Sequence, residues 1–335
     1  MTSFAKASFD VAGYLACRPT YPPRLFDTIC KYHALNGGRF ERALDVGCGP
    51  GFVALALAPQ FRNVKAIDPA KKMVDIGLQP KDASLPRIDY GVGSAEDLGA
   101  AGIGQGRDGV DLVVAGQAAH WFDYPKVWRE FSKSVRPGGT VAFIGYAEMV
   151  FPRLPHLSRL IAHHSRSPEA LGNYWQPGRR IVEAHLDPVP FPITPSPSQT
   201  ITDHLPPLEA TFAHPKISSI AEKELPNQGD DFDFSAWDPA TAIRLRADVS
   251  AEGKEEEWLM KKTFTKSQLE GYFRTWSALH SYHEEHPDDL AKKGKEGDIV
   301  DRVVKEIWAG VGEDTKEIEA GWPLILMMIK KKGEQ

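Results

Sequence analysis

Cysteine is scarce in this sequence: three residues in 335, with neither CxxC nor Cys/His spacing. This excludes a disulfide framework and gives no indication of a zinc site, so no metal is expected. Long apolar runs are also missing, since Leu324–Ile329 is far too short to span a bilayer and the N-terminus has no apolar h-region. We therefore expect a cytoplasmic protein without a membrane partner.

Basic residues are not in excess either. The formal net charge is −5, and the lysines and arginines are scattered among acidic residues. Because proteins that bind nucleic acid present a basic patch, no nucleic-acid partner is expected. The remaining composition, 42% hydrophobic and 25% charged over 335 residues, is that of a globular protein with one large domain or two modest ones.

Between residues 41 and 150, short apolar runs alternate with helical patterns. The alternation favours parallel strands joined by helical crossovers, and so predicts a doubly wound α/β sheet. Strands are predicted at Ala43–Val46, Val64–Ile67, Ile88–Val92, Val110–Val114 and Thr140–Ile144, and helices at Phe52–Ala58, Ala70–Leu78 and Pro125–Val135.

The rest of the chain divides into three further segments. Residues 1–40 are predicted to be helical, and residues 151–262, where the pattern is lost and prolines are frequent, an inserted, partly β cap region or lid. Residues 263–335 are predicted to hold helices and the last strands of the core. Thr265-Lys-Ser-Gln268 fits a capping box, and its helix is expected to run to about His283. A later helix is predicted at Asp298–Ala309 and a strand at Trp322–Lys330.

The segment Ala43-Leu-Asp-Val-Gly-Cys-Gly-Pro-Gly51 indicates a ligand-binding loop. Glycines spaced by two allow a ligand to approach the backbone closely, and the amides at the following helix start face the loop. Asp45 adds a carboxylate that suits a positive group or amine and hydroxyl donors. A dinucleotide-binding loop would have glycine at position 52, where this chain has Phe52.

This loop resembles motif I of class I S-adenosylmethionine-dependent methyltransferases, which fold as a Rossmann-like seven-stranded sheet. The resemblance implies S-adenosylmethionine as the cofactor, held at Gly47, Cys48, Gly49 and Gly51. It also implies that Asp68, at the end of the second strand, accepts the ribose hydroxyls, with Pro69 beside it and Met73 against the adenine. An aspartate at a strand end is equally common as a helix cap.

Two later segments resemble motifs of the same family. Gly93-Ser-Ala-Glu-Asp-Leu98 resembles G-D-A-E-D-L, which implies that Ser94, Ala95 and Glu96 lie along the adenine edge, with Ser94 where aspartate is common. Glu96 could instead be a solvated surface residue. Asp111–Phe122 resembles motif IV, which implies that Gln117 and Ala118 lie near the methionine part of the cofactor. The [D/N]-P-P-[Y/F] of enzymes that methylate amide or nucleobase nitrogens is missing there, which argues against those acceptors.

His120 follows in the motif IV segment and leaves two interpretations open. It is either the catalytic residue, acting as a base or holding the acceptor, or a structural residue beside Trp121 and Phe122.

The flanking segments narrow the resemblance to trans-aconitate methyltransferase-like enzymes, methyltransferase type 11, which act on small molecules. Tyr14–Pro22 resembles Y-x-x-x-R-P-x-Y-P, and Gly271–Ala278 resembles G-Y-L-R-T-W-S. The first match implies that the N-terminal segment closes over the cofactor, with Tyr14 and Arg18 holding its carboxylate; Arg18 could equally pair with a surface acid. The acceptor pocket is expected to include Tyr21, Trp121, Trp175, Trp276 and Ser277. An aromatic at helical spacing such as Trp276 is equally common as a core residue.

These motifs predict methyl transfer to a small molecule by a monomer or homodimer, with O-methylation of an organic acid or secondary metabolite as the favoured reaction. A carboxylate needs no base, whereas a phenol or alcohol would need one, such as His120. The alternative is a non-catalytic S-adenosylmethionine-binding protein that acts through a partner, suggested by Ser94 and the proline-rich segment.

Overall fold

The computed structural model describes residues 13, 17–35, 37–192, 232–246, 260–312 and 314–333. By its internal contacts the chain divides into two units. The larger consists of Tyr21–Ala147, Arg180–Asp248 and Leu324–Gln335, and the smaller of Met1–Thr20, Glu148–Arg179 and Val249–Pro323. No helix in the described ranges combines the length and apolar character needed to cross a membrane.

The larger unit is built on a seven-stranded sheet with strand order β3-β2-β1-β4-β5-β9-β6, which confirms the predicted fold class. The first five strands are parallel, and β9 pairs antiparallel with both β5 and β6. The strands are β1 Arg42–Val46, β2 Asn63–Asp68, β3 Asp89–Val92, β4 Val110–Gly116, β5 Val135–Tyr146, β6 Trp237–Arg246 and β9 Leu324–Lys331.

Helices pack against this sheet, and apolar residues from helices and strands together form a hydrophobic core. In the larger unit they are α1 Pro23–Ala34, α2 Phe52–Leu57, α3 Lys71–Val74, α4 Tyr124–Ser134 and α6 Gly178–Glu183. Trp128 of α4 illustrates the packing: its ring lies 5.8 Å from that of Phe143 in β5 and 5.2 Å from that of Trp237 in β6. Central parallel strands are buried on both faces, which explains the nearly continuous apolar runs in the sequence.

The strand order reverses between β1 and β4, which are neighbours in space although two strands and their connections separate them in sequence. At such a switch point the loops at the carboxyl ends of the strands diverge and leave a crevice. Asp45 pairs with Val114 across this boundary. The fold therefore places the glycine loop after β1 and the motif IV segment after β4 at the same edge of the sheet.

The smaller unit contains a two-stranded antiparallel sheet and several helices. Its strands are β7 Lys261–Thr265 and β8 Glu317–Gly321; its helices are α5 Pro155–Arg166, α7 Lys266–Arg274, α8 Ser277–Glu285, α9 Pro287–Leu290 and α10 Ile299–Val311. The capping box at Thr265 and Gln268 is present. Arg274 donates to Asp298 and Asp301, which anchors the end of α7 to the start of α10.

Two predicted helices are shorter than the sequence indicates. The helix predicted over Ala70–Leu78 is confined to Lys71–Val74, because Gly77 has a φ of +43° and the Leu78 amide donates to Pro50 in the glycine loop. The helix expected to reach His283 ends at Arg274 and a new one begins at Ser277. At this break the Thr275 hydroxyl donates to Tyr272, and Arg18 donates to the Thr275 carbonyl.

Two strand assignments also differ. β5 begins at Val135 rather than Thr140, with an irregular register where Arg136-Pro-Gly-Gly139 passes beside β4. β6 lies within residues 151–262, which the sequence assigns to a cap, yet it forms an edge strand of the main sheet. Pro239 obscures it in the sequence, and the register shifts between Asp238 and Ile243, as expected for proline at a sheet edge.

Candidate active site

The glycine loop joins β1 to α2 through three residues with positive φ: 64° at Gly47, 52° at Gly49 and 104° at Gly51. The space around these glycines differs from one to the next. A Cβ built on Gly49 would meet no atom within 4 Å, whereas one built on Gly47 would lie 2.5 Å from the Ala118 Cβ. The loop therefore packs tightly against the motif IV segment at Gly47 and presents bare backbone to open space at Gly49.

Asp45 is fully buried at the end of β1. Its Oδ2 accepts a hydrogen bond of 2.9 Å from the Ala54 amide in the first turn of α2, while its Oδ1 is buried with no partner among the described residues. Burial, and secondarily the nearby Asp68 carboxylate, raise the pKa of Asp45 to about 8. An unpaired carboxylate oxygen in this position suits a ligand that brings a donor or a positive group.

Asp68 ties the glycine loop to the end of β2. Its Oδ2 accepts from the Gly49 amide at 2.9 Å and its Oδ1 from the Ala70 amide at 2.8 Å. Burial raises the pKa of this carboxyl, and the two amide hydrogen bonds only partly offset that effect. Each carboxylate oxygen can accept a second hydrogen bond, so Asp68 can hold the loop and still accept from a pair of hydroxyl groups.

Three further residues are predicted to bind the cofactor: Pro69, Met73 and Cys48. Pro69 directly follows Asp68, and the Met73 side chain is buried at 3% exposure on α3. Cys48 is buried, its amide donates to Ile67 at the end of β2, and burial raises the pKa of its thiol far above the ordinary value. Cys48 is thus a neutral thiol that helps to seat the loop.

Ser94, Ala95 and Glu96 form a turn after β3. The Ser94 hydroxyl donates to the Glu96 carboxylate, and its oxygen accepts from the Glu96 amide at 3.1 Å. Ser94 therefore retains one acceptor site for a ligand amine. Ala95 is buried at 3% exposure, and the other Glu96 oxygen accepts from the Asp123 amide at the start of α4. The carboxylate thus joins this turn to the start of α4.

Gln117, Ala118 and His120 follow β4. Gln117 has a φ of +52°, unusual for a residue other than glycine. Its Nε2 donates to the Tyr146 carbonyl at 2.8 Å, and its Oε1 is buried with no partner among the described residues. His120 and Trp121 form a 3-10 turn in which their rings lie 4.8 Å apart, and Trp121 is 37% exposed.

Known proteins that are similar to this chain are methyltransferases. Residues 44–143, from β1 to β5, match the model of a methyltransferase domain. The probable S-adenosylmethionine-dependent methyltransferase CRG1 of Saccharomyces cerevisiae is 23% identical over 310 residues, which cover 91% of this chain and 89% of the yeast protein. The chain is a class I S-adenosylmethionine-dependent methyltransferase.

Other relatives match this methyltransferase over part of their length. Methyltransferase cfoB of Aspergillus candidus is 29% identical, with 56% of this chain matching 62% of the relative. Methyltransferase tpcM of Aspergillus fumigatus is 33% identical over 44% of each chain. A solved structure of a putative type II methyltransferase from Anaeromyxobacter dehalogenans, 22% identical, matches 95% of this chain and 99% of its own with a TM-score of 0.59, which supports the fold.

The residues present fit S-adenosylmethionine, the cofactor of this family. The backbone at Gly49 is accessible, Asp68 can accept from hydroxyl groups, and the two buried oxygens without partners, Asp45 Oδ1 and Gln117 Oε1, suit the donors of an amino acid ammonium. Among the described residues, no group of His, Cys, Asp and Glu side chains could hold a metal ion.

The remaining predicted residues of the methyltransferase fall into two sets. Tyr21 belongs to the larger unit, where its ring lies 6.3 Å from that of Tyr146 and its hydroxyl near Gly116. Arg18, Trp175, Trp276 and Ser277 belong to the smaller unit, and Tyr14 lies outside the described residues. Arg18 donates to the Thr275 carbonyl at 3.2 Å and lies over the Tyr272 ring.

In the smaller unit, Trp175 and Trp276 are brought together with a ring separation of 5.3 Å. Arg179 lies 4.2 Å from the centre of the Trp175 ring, and the Trp175 indole donates to the Ser165 carbonyl at 2.7 Å. Trp276 is buried at 3% exposure, and Ser277 begins α8. These contacts account for both tryptophans as parts of a packed aromatic cluster.

Sequence reasoning misses Tyr90, whose hydroxyl oxygen would lie 1.9 Å from a Cβ on Gly51. Its position in the short strand β3, outside the family motifs, gives no sequence signal for a contact with the glycine loop.

Proposed function

We propose that this methyltransferase methylates a carboxylate oxygen of a small organic acid or secondary metabolite. Bound S-adenosylmethionine supplies a methyl group on a sulfonium, and the neutral thioether that departs is an excellent leaving group. The protein's own residues then have to position the acceptor and exclude water. The flanking segments that resemble trans-aconitate methyltransferase-like enzymes also favour an acidic acceptor.

The observation that carries this proposal is that both carboxylates of the site, Asp68 and Asp45, already accept hydrogen bonds from backbone amides. Asp68 accepts from the amides of Gly49 and Ala70, and Asp45 accepts from that of Ala54 and is buried. Each carboxylate thus bonds to backbone amides, and its remaining acceptor capacity is assigned to the cofactor, so neither is left to take a proton from the acceptor. A carboxylate acceptor is ionised at neutral pH and needs no base, so it matches a site organised in this way.

A phenol or alcohol is the second candidate acceptor, and His120 is the observation that favours it. Its imidazole is half-buried in the turn after β4, beside the partly exposed Trp121. A histidine has a pKa suited to removing a hydroxyl proton near neutral pH. If the acceptor carries a hydroxyl, His120 would serve as its base.

Methylation assays with His120→Ala distinguish the two acceptors. Incubation with S-adenosylmethionine and a panel of carboxylic acids and phenols, followed by mass spectrometry, is expected to give methyl esters heavier by one methylene. We expect the variant to retain the wild-type rate on the acid, because no proton is removed. A rate loss of about 100-fold or more would indicate general-base catalysis and overturn the carboxylate proposal. His163→Ala, on an exposed position of α5, is the control.

We extend the proposal to the setting of the enzyme. The enzyme is proposed to be a cytoplasmic monomer or homodimer that acts on a small molecule of secondary metabolism and has no nucleic-acid or membrane partner. The scattered charges and the net charge of −5 support the part of this proposal that concerns nucleic acid. Size-exclusion chromatography with light scattering would measure the oligomeric state, and a trimer or larger assembly would contradict this part of the proposal.

A further inference from the structure

Tyr90 connects β3 to the glycine loop. In β3 it pairs with Ala66 of β2, and its ring reaches two glycines of positive φ, Gly51 in the loop and Gly77 after α3. A Cβ on Gly51 would lie 1.9 Å from the Tyr90 hydroxyl oxygen, and a Cβ on Gly77 would lie 3.1 Å from Cδ2 of the ring. The ring therefore packs directly against the backbone of both segments.

The Tyr90 hydroxyl also binds the segment that contacts the loop. It donates to the Leu78 carbonyl at 2.6 Å and lies 3.5 Å from the Pro50 carbonyl. The Leu78 amide in turn donates to the Pro50 carbonyl at 3.1 Å. Leu78 is thus held between the Tyr90 side chain and the glycine loop.

Gln79 fixes the same segment on its other side. Its carboxamide makes two hydrogen bonds of 2.9 Å with the backbone of Ile88, donating to the carbonyl and accepting from the amide. Residues 77–79 therefore form a brace between the glycine loop and the start of β3. The Tyr90 hydroxyl links the middle of this brace, the Leu78 carbonyl, to β3.

We propose that Tyr90 is a positioning residue for cofactor binding, whose hydroxyl holds the brace and, through Leu78 and Pro50, keeps the glycine loop in its binding conformation. The residue acts through the loop and contacts no reacting atom. Without the hydroxyl, the Leu78 carbonyl loses its partner and the loop becomes less ordered before the cofactor binds. Part of the binding free energy then goes into ordering the loop, so affinity falls.

Tyr90→Phe tests this role, with Tyr32→Phe as the matched control. Tyr32 likewise has a hydroxyl that donates to a carbonyl at 2.6 Å, in this case that of Thr241 in β6, although Tyr32 is buried and Tyr90 is half-buried. Phenylalanine preserves the ring packing in both variants, so both are expected to fold. Calorimetric titration with S-adenosylmethionine measures affinity without any acceptor, so the result is independent of the proposed substrate.

We expect Tyr90→Phe to raise the Kd for S-adenosylmethionine by about 3- to 10-fold, as for the loss of one hydrogen bond. The KM for the cofactor should rise similarly with kcat nearly unchanged, and amide exchange in peptides covering residues 76–79 of the cofactor-free protein should accelerate. Tyr32→Phe should lower the melting temperature and leave the Kd unchanged. A Tyr90→Phe variant with wild-type affinity, or an equal loss of affinity in both variants, would overturn the proposal.

Discussion

Replacing Asp68 with alanine is expected to abolish detectable binding of S-adenosylmethionine. The substitution removes the acceptor for the Gly49 amide, the acceptor for the Ala70 amide and the oxygens available to the ribose hydroxyls. Hydrogen bonds to a charged group contribute about 1.5–3 kcal/mol each, so the loss of two or more corresponds to at least about a 100-fold rise in Kd. Calorimetric titration of the variant measures this directly.

The matched control is Asp75→Ala, which removes an exposed aspartate that pairs with Lys71 at the end of α3. Exposed pairs of this kind contribute little to stability, so this variant should bind the cofactor with wild-type affinity. Asp68→Asn should be intermediate, because its amide oxygen can replace only one of the two carboxylate acceptors. Wild-type affinity in Asp68→Ala would show that the end of β2 does not contact the cofactor.

The parts of the fold that depend on local sequence are predictable. The glycine loop after β1 follows from glycine spacing, and the capping box at Thr265 follows from residues three positions apart. The central strands can be predicted for the same reason, since burial on both faces requires a continuous apolar run in the sequence. In each case the residues that determine the element lie within it.

The features that sequence reasoning misses are determined by contacts distant in sequence. α3 ends early because Leu78 bonds to Pro50, and the break at Thr275 coincides with a hydrogen bond from Arg18. β6 is specified by pairing with β9, whose residues lie 79 (Arg246 to Ile325) to 94 (Trp237 to Lys331) positions later in the chain, and no local pattern reveals this pairing.

The candidate site shows the same division. The sequence indicates Asp45 and Asp68 as ligand contacts, but the structure adds that both also bind backbone amides of the loop and of the helices beside it. Their ligand roles and their structural roles are therefore compatible. Tyr90 could not be predicted, because its partner Leu78 lies on a segment that the helical pattern assigned to α3.

Asp45→Asn is expected to stabilise the cofactor-free protein while it weakens cofactor binding. The pKa of Asp45 is raised from 3.8 to about 8 by burial, so the folded state retains a proton that the unfolded chain has already released between these values. Stability therefore falls as pH rises through this window, by up to about 1.4 kcal/mol per pH unit. Asparagine has no such cost, and its Oδ1 can still accept from Ala54.

Thermal unfolding at two pH values tests the sign. The gain in melting temperature of Asp45→Asn over the wild type should be larger at pH 8 than at pH 5.5, by about 5 °C or more. A gain independent of pH would show that the pKa of the carboxyl is not raised in the folded state. A loss at both values would show that the carboxylate is required for the hydrogen bond from Ala54 in the first turn of α2.

Cofactor affinity should change in the opposite direction. The buried Oδ1 of Asp45 has no partner among the described residues, and its charge is the feature that a cofactor ammonium would stabilise. Asparagine presents a neutral group there, so we expect the Kd for S-adenosylmethionine to rise about 10- to 100-fold. A stabilised variant with unchanged Kd would show that Asp45 only accepts the hydrogen bond from Ala54 and does not contact the cofactor. The predicted combination would instead show that this carboxylate is kept in an unfavourable environment because the cofactor requires its charge.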